Sequence, residues 1–483
     1  MIKNQMWWLA VAVCLLLASG LPRAWAVELW VGSATVDITP PRPVALEGQF
    51  HTRVANRVET PLVAAALVLE SRENGQMKDH AVMVSCDLVG IPEAVLQKVR
   101  ERISQAIPQI SPEKIILSAT HTHTAPVVTE GKYVIPDHGV MTVSEYVAFL
   151  VDRVAEAVKT AWQNRQVAQL GYGFGYAVVG HNRRAVYADG HAVMYGRTDV
   201  PDFRHLESGT DPAVQVLFFT DRSGTLLTMA IEVACPSQEV EGQSTVHADF
   251  WHFVRQEIWR QFGRKVDILA WCGAAGDLSP HLMLRKAAEE RMLRLRGLDS
   301  LQEIARRISE TVMDVYNVAR QELYPEVPFE HRVLNLDLPL RVVTDEEART
   351  AREEAAKLAD NPALRMKMLW HQRVAERYEK QQQIARDQWT NSYEIHVLRI
   401  GDVAIATNPF ELFVDFGLQI QARSKATQTF VIQLAGAGTY LATDRAVAGG
   451  GYSAVVESTE VSPEGGQILV DRTVEAINAL FGQ

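Results

Sequence analysis

The chain has 483 residues, 47% of them hydrophobic and 22% charged, with a formal net charge of −10. That length supplies the core of one large domain or two smaller ones, and the acidic balance argues against nucleic acid as a partner.

The first element, residues 1–26, combines Lys3, an apolar run from Trp7 to Ala18 and the small-residue ending Ala24-Trp25-Ala26. This is the pattern of a cleaved secretory signal peptide. Its removal takes away Cys14 and two basic residues, Lys3 and Arg23, so the remaining 27–483 is more acidic and keeps only Cys86, Cys235 and Cys272. An odd, sparse set of cysteines excludes a disulfide-framework fold. No later stretch approaches the roughly 20 apolar residues of a membrane-spanning helix. The expectation is a soluble protein, secreted or periplasmic, with at most peripheral membrane contact.

Short apolar strands then alternate with amphipathic helices, an α/β pattern. In chain order the strands are Ala81–Ser85, Lys114–Ser118, Val214–Thr220, Leu226–Ala234, Val266–Trp271, Glu394–Ile400, Val403–Thr407 and Thr429–Leu434. Asp221-Arg222-Ser223-Gly224 and Gly401-Asp402 each sit between two apolar runs and mark hairpins. The fold class is therefore α/β, a mixed β-sheet core with flanking helices. Helices are expected at Asp249–Gly263, through Arg285–Leu323, and near 344–391, where Glu, Lys, Arg, Gln and Ala dominate. The 344–391 block reads as an amphipathic hairpin packed on the sheet or as a lid. No internal repeat is visible.

Six of these strands run into residues capable of acid–base or metal chemistry: Cys86-Asp87, His121-Thr122-His123, Cys235, Gly276-Asp277-Leu278-Ser279, Asn408 with Glu411, and Tyr440. Carboxyl ends of neighbouring parallel strands form the crevice where α/β proteins bind ligands, so the six ends are expected to build one site. Two residues apart on an extended backbone, the imidazoles of His121 and His123 would project to the same side, fit for a metal or for metal and proton together. Ser279 reads either as a nucleophile beside backbone N–H donors or as a helix N-cap with Pro280 at N1. Asp277 either orients a histidine or closes the turn. Cys235 is a small core residue or, as a thiolate, a zinc ligand. Glu411 is a ligand or complements a helix dipole, and Gly449-Gly450-Gly451-Tyr452 is a loop that either turns or offers backbone donors.

At these residues the sequence resembles the catalytic domain of the neutral/alkaline non-lysosomal ceramidases, zinc amidases that cleave the N-acyl bond of ceramide. The resemblance runs from Val31-Gly32-Ser33-Ala34-Thr35-Val36-Asp37-Ile38-Thr39-Pro40 through Ser118-Ala119-Thr120-His121-Thr122-His123-Thr124-Ala125-Pro126, Asn182-Arg183, Gly276-Asp277-Leu278-Ser279-Pro280 and Asn408-Pro409-Phe410-Glu411 to Gly438-Thr439-Tyr440-Leu441-Ala442-Thr443. It implies one zinc ion held by His121, Glu411 and Tyr440. It also implies His123 and Arg183 at the scissile carbonyl or polar head of the substrate, Ser279 as nucleophile or positioner of water, and Asp277 as a supporting carboxylate.

The family's remaining ligand, a histidine before proline, is here Cys235-Pro236. Either Cys235 or His247 would have to complete the metal site. The chain also leaves no room for the family's further C-terminal β-sandwich. The resemblance implies a secreted zinc-dependent hydrolase of an N-acyl amide, ceramide-like or related, acting on a small-molecule or lipid substrate. The alternatives are hydrolysis of a different ester or amide on the same metal site, or a catalytically silent secreted binding protein. The spread of candidates from His121 to Tyr440 favours one continuous domain over 27–483, with a helical insertion near 344–391.

Overall fold

The computed structural model describes residues 27–482; the signal peptide assigned to residues 1–26 lies outside the described residues. The architecture repeats one pattern three times. Each unit has an outer strand, an antiparallel hairpin, a helix, a last strand running parallel to the second hairpin strand, and a closing helix. In the first unit these are 28–37, 63–73 with 76–86, 93–106, 115–119 and 143–163. In the second they are 169–176, 213–220 with 226–233, 250–262, 267–272 and 300–319. In the third they are 329–339, 390–400 with 403–407, 414–423, 428–432 and 463–480. The sheets are mixed, as the sequence implied. The repeat went unseen because its constraint is apolar alternation, which many side chains satisfy.

The strand faces explain the packing. In each hairpin alternate residues point to opposite faces. One face of every sheet meets the other two in a common core containing Leu67, Met83 and Ile116, Leu217, Ala230 and Leu269, and Leu398, Ile405 and Phe430. The opposite faces are covered by each unit's own helices, forming three further clusters. Helix starts follow ordinary capping chemistry: Thr142 with Glu145, Asp299 with Gln302, and Thr344 with Glu347 form capping boxes.

The two hairpin turns read from sequence are present, joining 213–220 to 226–233 and 390–400 to 403–407. Strands 28–37, 63–73, 169–176 and 329–339 had not been anticipated. In 169–176 the reason is specific: Gly171, Gly173 and Gly175 alternate with the larger residues, and a Cβ at Gly175 would lie 2.6 Å from Thr311 Cγ2 on the closing helix. Glycine there permits close helix–sheet contact but erases the apolar signal. The 344–391 block forms the helices 345–358 and 365–381. No helix among the described residues is long and apolar enough to cross a membrane.

All connections that follow outer strands, second hairpin strands and parallel strands emerge at one end of the three sheets. That end carries nearly every polar residue singled out in the sequence.

Candidate functional site

The parallel strand 115–119 ends at Ala119, and the chain then turns instead of continuing extended. Thr120 N–H donates to Cys86 O (3.0 Å), His121 N–H and Thr122 N–H both donate to Leu88 O (2.9 and 3.2 Å), and His121 takes φ +67°. The expected extended His-Thr-His is therefore corrected to a left-handed turn, a strained state for a non-glycine residue. The rings still meet, with centroids 4.9 Å apart. His121 Nδ1 lies 2.6 Å from Val89 O, and a carbonyl there requires Nδ1 to carry the proton. In the neutral ring that leaves the Nε2 lone pair, which faces Glu411 Oε2 at 3.2 Å. A lone pair aimed at a carboxylate calls for a proton or a cation between them. Burial alone would lower the His121 pKa, but the Glu411 carboxylate outweighs it and raises it.

Glu411 and Tyr440 are delivered side by side because residues 411–412 and 440–441 pair in parallel, Glu411 opposite Tyr440. Burial pushes the Tyr440 phenol well above its ordinary pKa, reinforced by Glu411. Arg183, 4% exposed, donates to Tyr440 Oη (3.1 Å), Gly276 O (2.9 Å) and Gln238 Oε1 (3.3 Å). His123 Nε2 lies 2.9 Å from Gln238 Nε2 and 3.4 Å from His121 Nε2, while its Nδ1 lies 3.3 Å from Glu241 Oε2. Burial, the largest influence on the His123 ring, lowers its pKa. Gly48, at φ +103°, lets the backbone reach this imidazole; a Cβ there would sit 2.4 Å from His123 Cγ.

Four further readings of the sequence need correction. Cys235 does not join the trio of His121, Glu411 and Tyr440. Its Sγ lies 3.6 Å from both Val179 O and Pro236 O, within the apolar cluster that includes Phe250 and Trp251, and burial raises its thiol pKa well above normal. His247 is also held elsewhere, with Nδ1 accepting from Asp249 N–H (2.8 Å) and its carbonyl taken by Thr122 and Thr124.

Asp277 orients no histidine. Its Oδ1 accepts from Val414 N–H (2.8 Å) and its Oδ2 from Asn182 Nδ2 (2.9 Å) and Ser208 Oγ (2.6 Å), so it fastens the turn before Ser279 to the segment after Glu411. Ser279 caps no helix, since the next one begins at Lys286. Residues 278–279 instead pair with 181–182, and Ser279 Oγ accepts from Tyr195 Oη (2.9 Å) and His281 N–H (3.0 Å).

Several site residues escaped the sequence reading: Tyr195, Gln238, Glu241, His281, Tyr452 and the insertion's Met366 and Trp370. Tyr195 is held at φ +56°, an unusual backbone for a bulky residue. His281 lies 3.6 Å from Glu241 Oε1 and 3.5 Å from Glu239 Oε2. Trp370 packs on Phe50 and Tyr452 with ring centroids 5.3 and 5.9 Å away. Two sequence signals touch this set: the glycine run ending at Tyr452, and the lid reading of the 344–391 block, which contains Met366 and Trp370.

Among the described residues no three His, Cys, Asp or Glu side chains converge on a metal position. The donor set here is two such residues completed by a phenol. One imidazole with its far nitrogen tied to a carbonyl, one carboxylate and one phenol fit a single cation with an open position.

No family model matches the sequence, and no curated protein matches it. Among solved structures the chain resembles neutral ceramidase from Pseudomonas aeruginosa, with TM-score 0.68 and 20% identity over 94% of this chain and 74% of that one. It also resembles a ceramidase complexed with C2, with TM-score 0.67 and 18% identity over 94% of this chain and 75% of that one. The chain thus has the fold seen in those structures.

Proposed function

We propose that this chain is a hydrolase of N-acyl amide bonds, secreted by way of residues 1–26 and using one zinc ion held by His121, Glu411 and Tyr440. The observation that carries the proposal is the His121–Glu411 pair beside Tyr440, at the strand ends of a ceramidase-like fold. When bound, zinc supplies Lewis-acid polarisation of the amide carbonyl and lowers the pKa of water toward about 7. The remaining work falls to the chain. Arg183, fixed by Gly276 O and Gln238, offers a buried positive charge for oxygen charge that develops as the carbonyl is attacked. His123 keeps its proton at Nδ1, facing Glu241, and presents the Nε2 lone pair, which accepts from Gln238 Nε2 and is the atom at which the ring takes up a proton. Tyr195 keeps Ser279 Oγ in place, either to attack or to hold the attacking water. Glu411, open to the cleft, faces His121 Nε2, and the buried Tyr440 pairs beside it.

The test is zinc content of the purified protein, followed by acid release from N-acyl substrates with and without a chelator. Stoichiometric zinc and chelator-sensitive hydrolysis are expected; absence of both refutes the proposal. The alternative is a silent binder, with Cys235 turned into the core and no longer available as a further donor. It predicts ligand binding with no turnover of any ester or amide.

A further inference from the structure

Helix 286–296 is turned the wrong way for a helix that stabilises a core. Nine of its eleven residues are exposed and none is buried. Its inner face carries Glu289, held by Arg307, and Leu293, which with Lys286 line a cavity of about 320 Å³ instead of packing on a core. Its outward face carries Ala288, Met292 and Leu295, spaced i, i+4 and i+7 and so in one line, and Leu295 is 64% exposed. A surface helix ordinarily buries such a stripe. Leu284, just before the helix, is exposed as well.

The same helix concentrates positive charge. From Arg285 to Arg296 five cations stand against two carboxylates, Glu289 and Glu290, in a chain whose net charge is −10. Arg296 is paired with Glu303 (2.8 Å) and Glu289 with Arg307, which leaves the exposed Arg285, Lys286, Arg291 and Arg294 against Glu290 alone. At about 100° per residue, Arg291 and Arg294 flank the apolar stripe on one side and Arg296 on the other.

We propose that this helix seats the protein on an anionic lipid surface, with Met292 and Leu295 among the upper acyl carbons and the arginines at the headgroup phosphates. A basic amphipathic helix with an outward apolar stripe is the form that lies in a membrane interface. Arginine stems follow the stripe with their carbons while the charge reaches phosphate. A protein partner is disfavoured by size. Three side chains on a helix about 16 Å long expose far less than the roughly 800 Å² per partner of a stable protein interface. The helix also borders the cleft: Pro280, His281 and Leu282, directly after Ser279, line the same cavity, and His281 faces Glu241 (3.6 Å). Lipid contact here therefore holds the candidate site beside the bilayer. The proposal does not depend on the hydrolase reading.

The experiment sediments the purified protein with vesicles of phosphatidylcholine alone and of phosphatidylcholine mixed with phosphatidylglycerol, at low and at high salt. Binding is expected on the mixed vesicles at low salt, and should fall at high salt and on phosphatidylcholine alone. Arg291→Gln combined with Arg294→Gln should weaken it about thirtyfold. Met292→Ser combined with Leu295→Ser should weaken it about tenfold or more. Both double variants should keep the wild-type urea midpoint, because the side chains are exposed. No binding to the mixed vesicles, equal binding to both lipids, or affinity unmoved in both double variants overturns the proposal. So does self-association of the wild type that Met292→Ser with Leu295→Ser abolishes, since the stripe would then cover a second copy. Vesicle binding by a protein that hydrolyses no N-acylglycine supports the anchor and counts against the hydrolase reading, so the two failures are distinguishable.

Discussion

Replacing Cys235 with alanine separates a metal ligand from a core residue. The Sγ is fully buried, in contact with two carbonyl oxygens and the cluster around Phe250 and Trp251. Deleting one buried heavy atom forfeits about 0.8 kcal/mol of transfer free energy, the value of a methylene. A void of about 20 Å³ adds roughly 0.5 kcal/mol at ~24 cal/mol per Å³. Cys235→Ala should therefore destabilise the chain by about 1–1.5 kcal/mol, read as a small fall in urea midpoint. Bound zinc, measured by plasma emission on the dialysed protein, should stay at the wild-type level, whereas His121→Ala should lose it. Zinc lost in Cys235→Ala with little change in midpoint would refute the placement of this thiol and restore it as a ligand.

Further outcomes follow from other contacts. Arg184 and Glu207 form a bidentate ion pair (2.7 and 3.0 Å) with side chains 0% and 2% exposed. Glu207→Ala strands the guanidinium and should cost about 3–5 kcal/mol in denaturation; a loss below 1 kcal/mol would sink that reading. Tyr195→Phe removes the hydrogen bond to Ser279 and should lower kcat roughly tenfold with KM unchanged; a change confined to KM would count against a positioning role. Burial depresses the pKa of His331, and also those of His80 and His396. The unfolded chain protonates these rings below about pH 6.5, and burial moves that protonation to lower pH in the folded state. Stability is thus full above about 6.5 and declines as pH falls, by up to about 1.4 kcal/mol per pH unit for each ring. His331→Gln should flatten the fall in Tm between pH 7 and 5; an equally steep fall would refute the assignment.

The sequence made the central strands legible because their apolar runs end sharply. Val403–Thr407 was read to the residue, and Val214–Thr220 to within one. His121, Glu411 and Tyr440 were legible as a set only through motif resemblance. Cys235 shows where such reading stops. It follows its strand immediately, but Cys235 N–H turns back to Val233 O (2.8 Å), and no linear pattern says whether a side chain after such a turn faces the crevice or the core. Gln238, only three residues on, does face the crevice. Tyr195, Glu241 and His281 lie on connections where no period constrains composition, so their meeting is a property of the three-unit arrangement.

That arrangement has a second pole. Opposite the cleft, the three hairpins close in tight turns at Asn74-Gly75, Ser223-Gly224 and Gly401-Asp402. Around Gly75 and Gly224 an added Cβ meets nothing within 4 Å, whereas at Gly401 it approaches Leu170 and Val327 at 3.2 Å. The first two turns are therefore natural attachment points. An affinity handle, a fluorophore or a surface tether grafted there leaves the cleft facing outward, so the protein can be immobilised in a defined orientation with its mouth open to substrate.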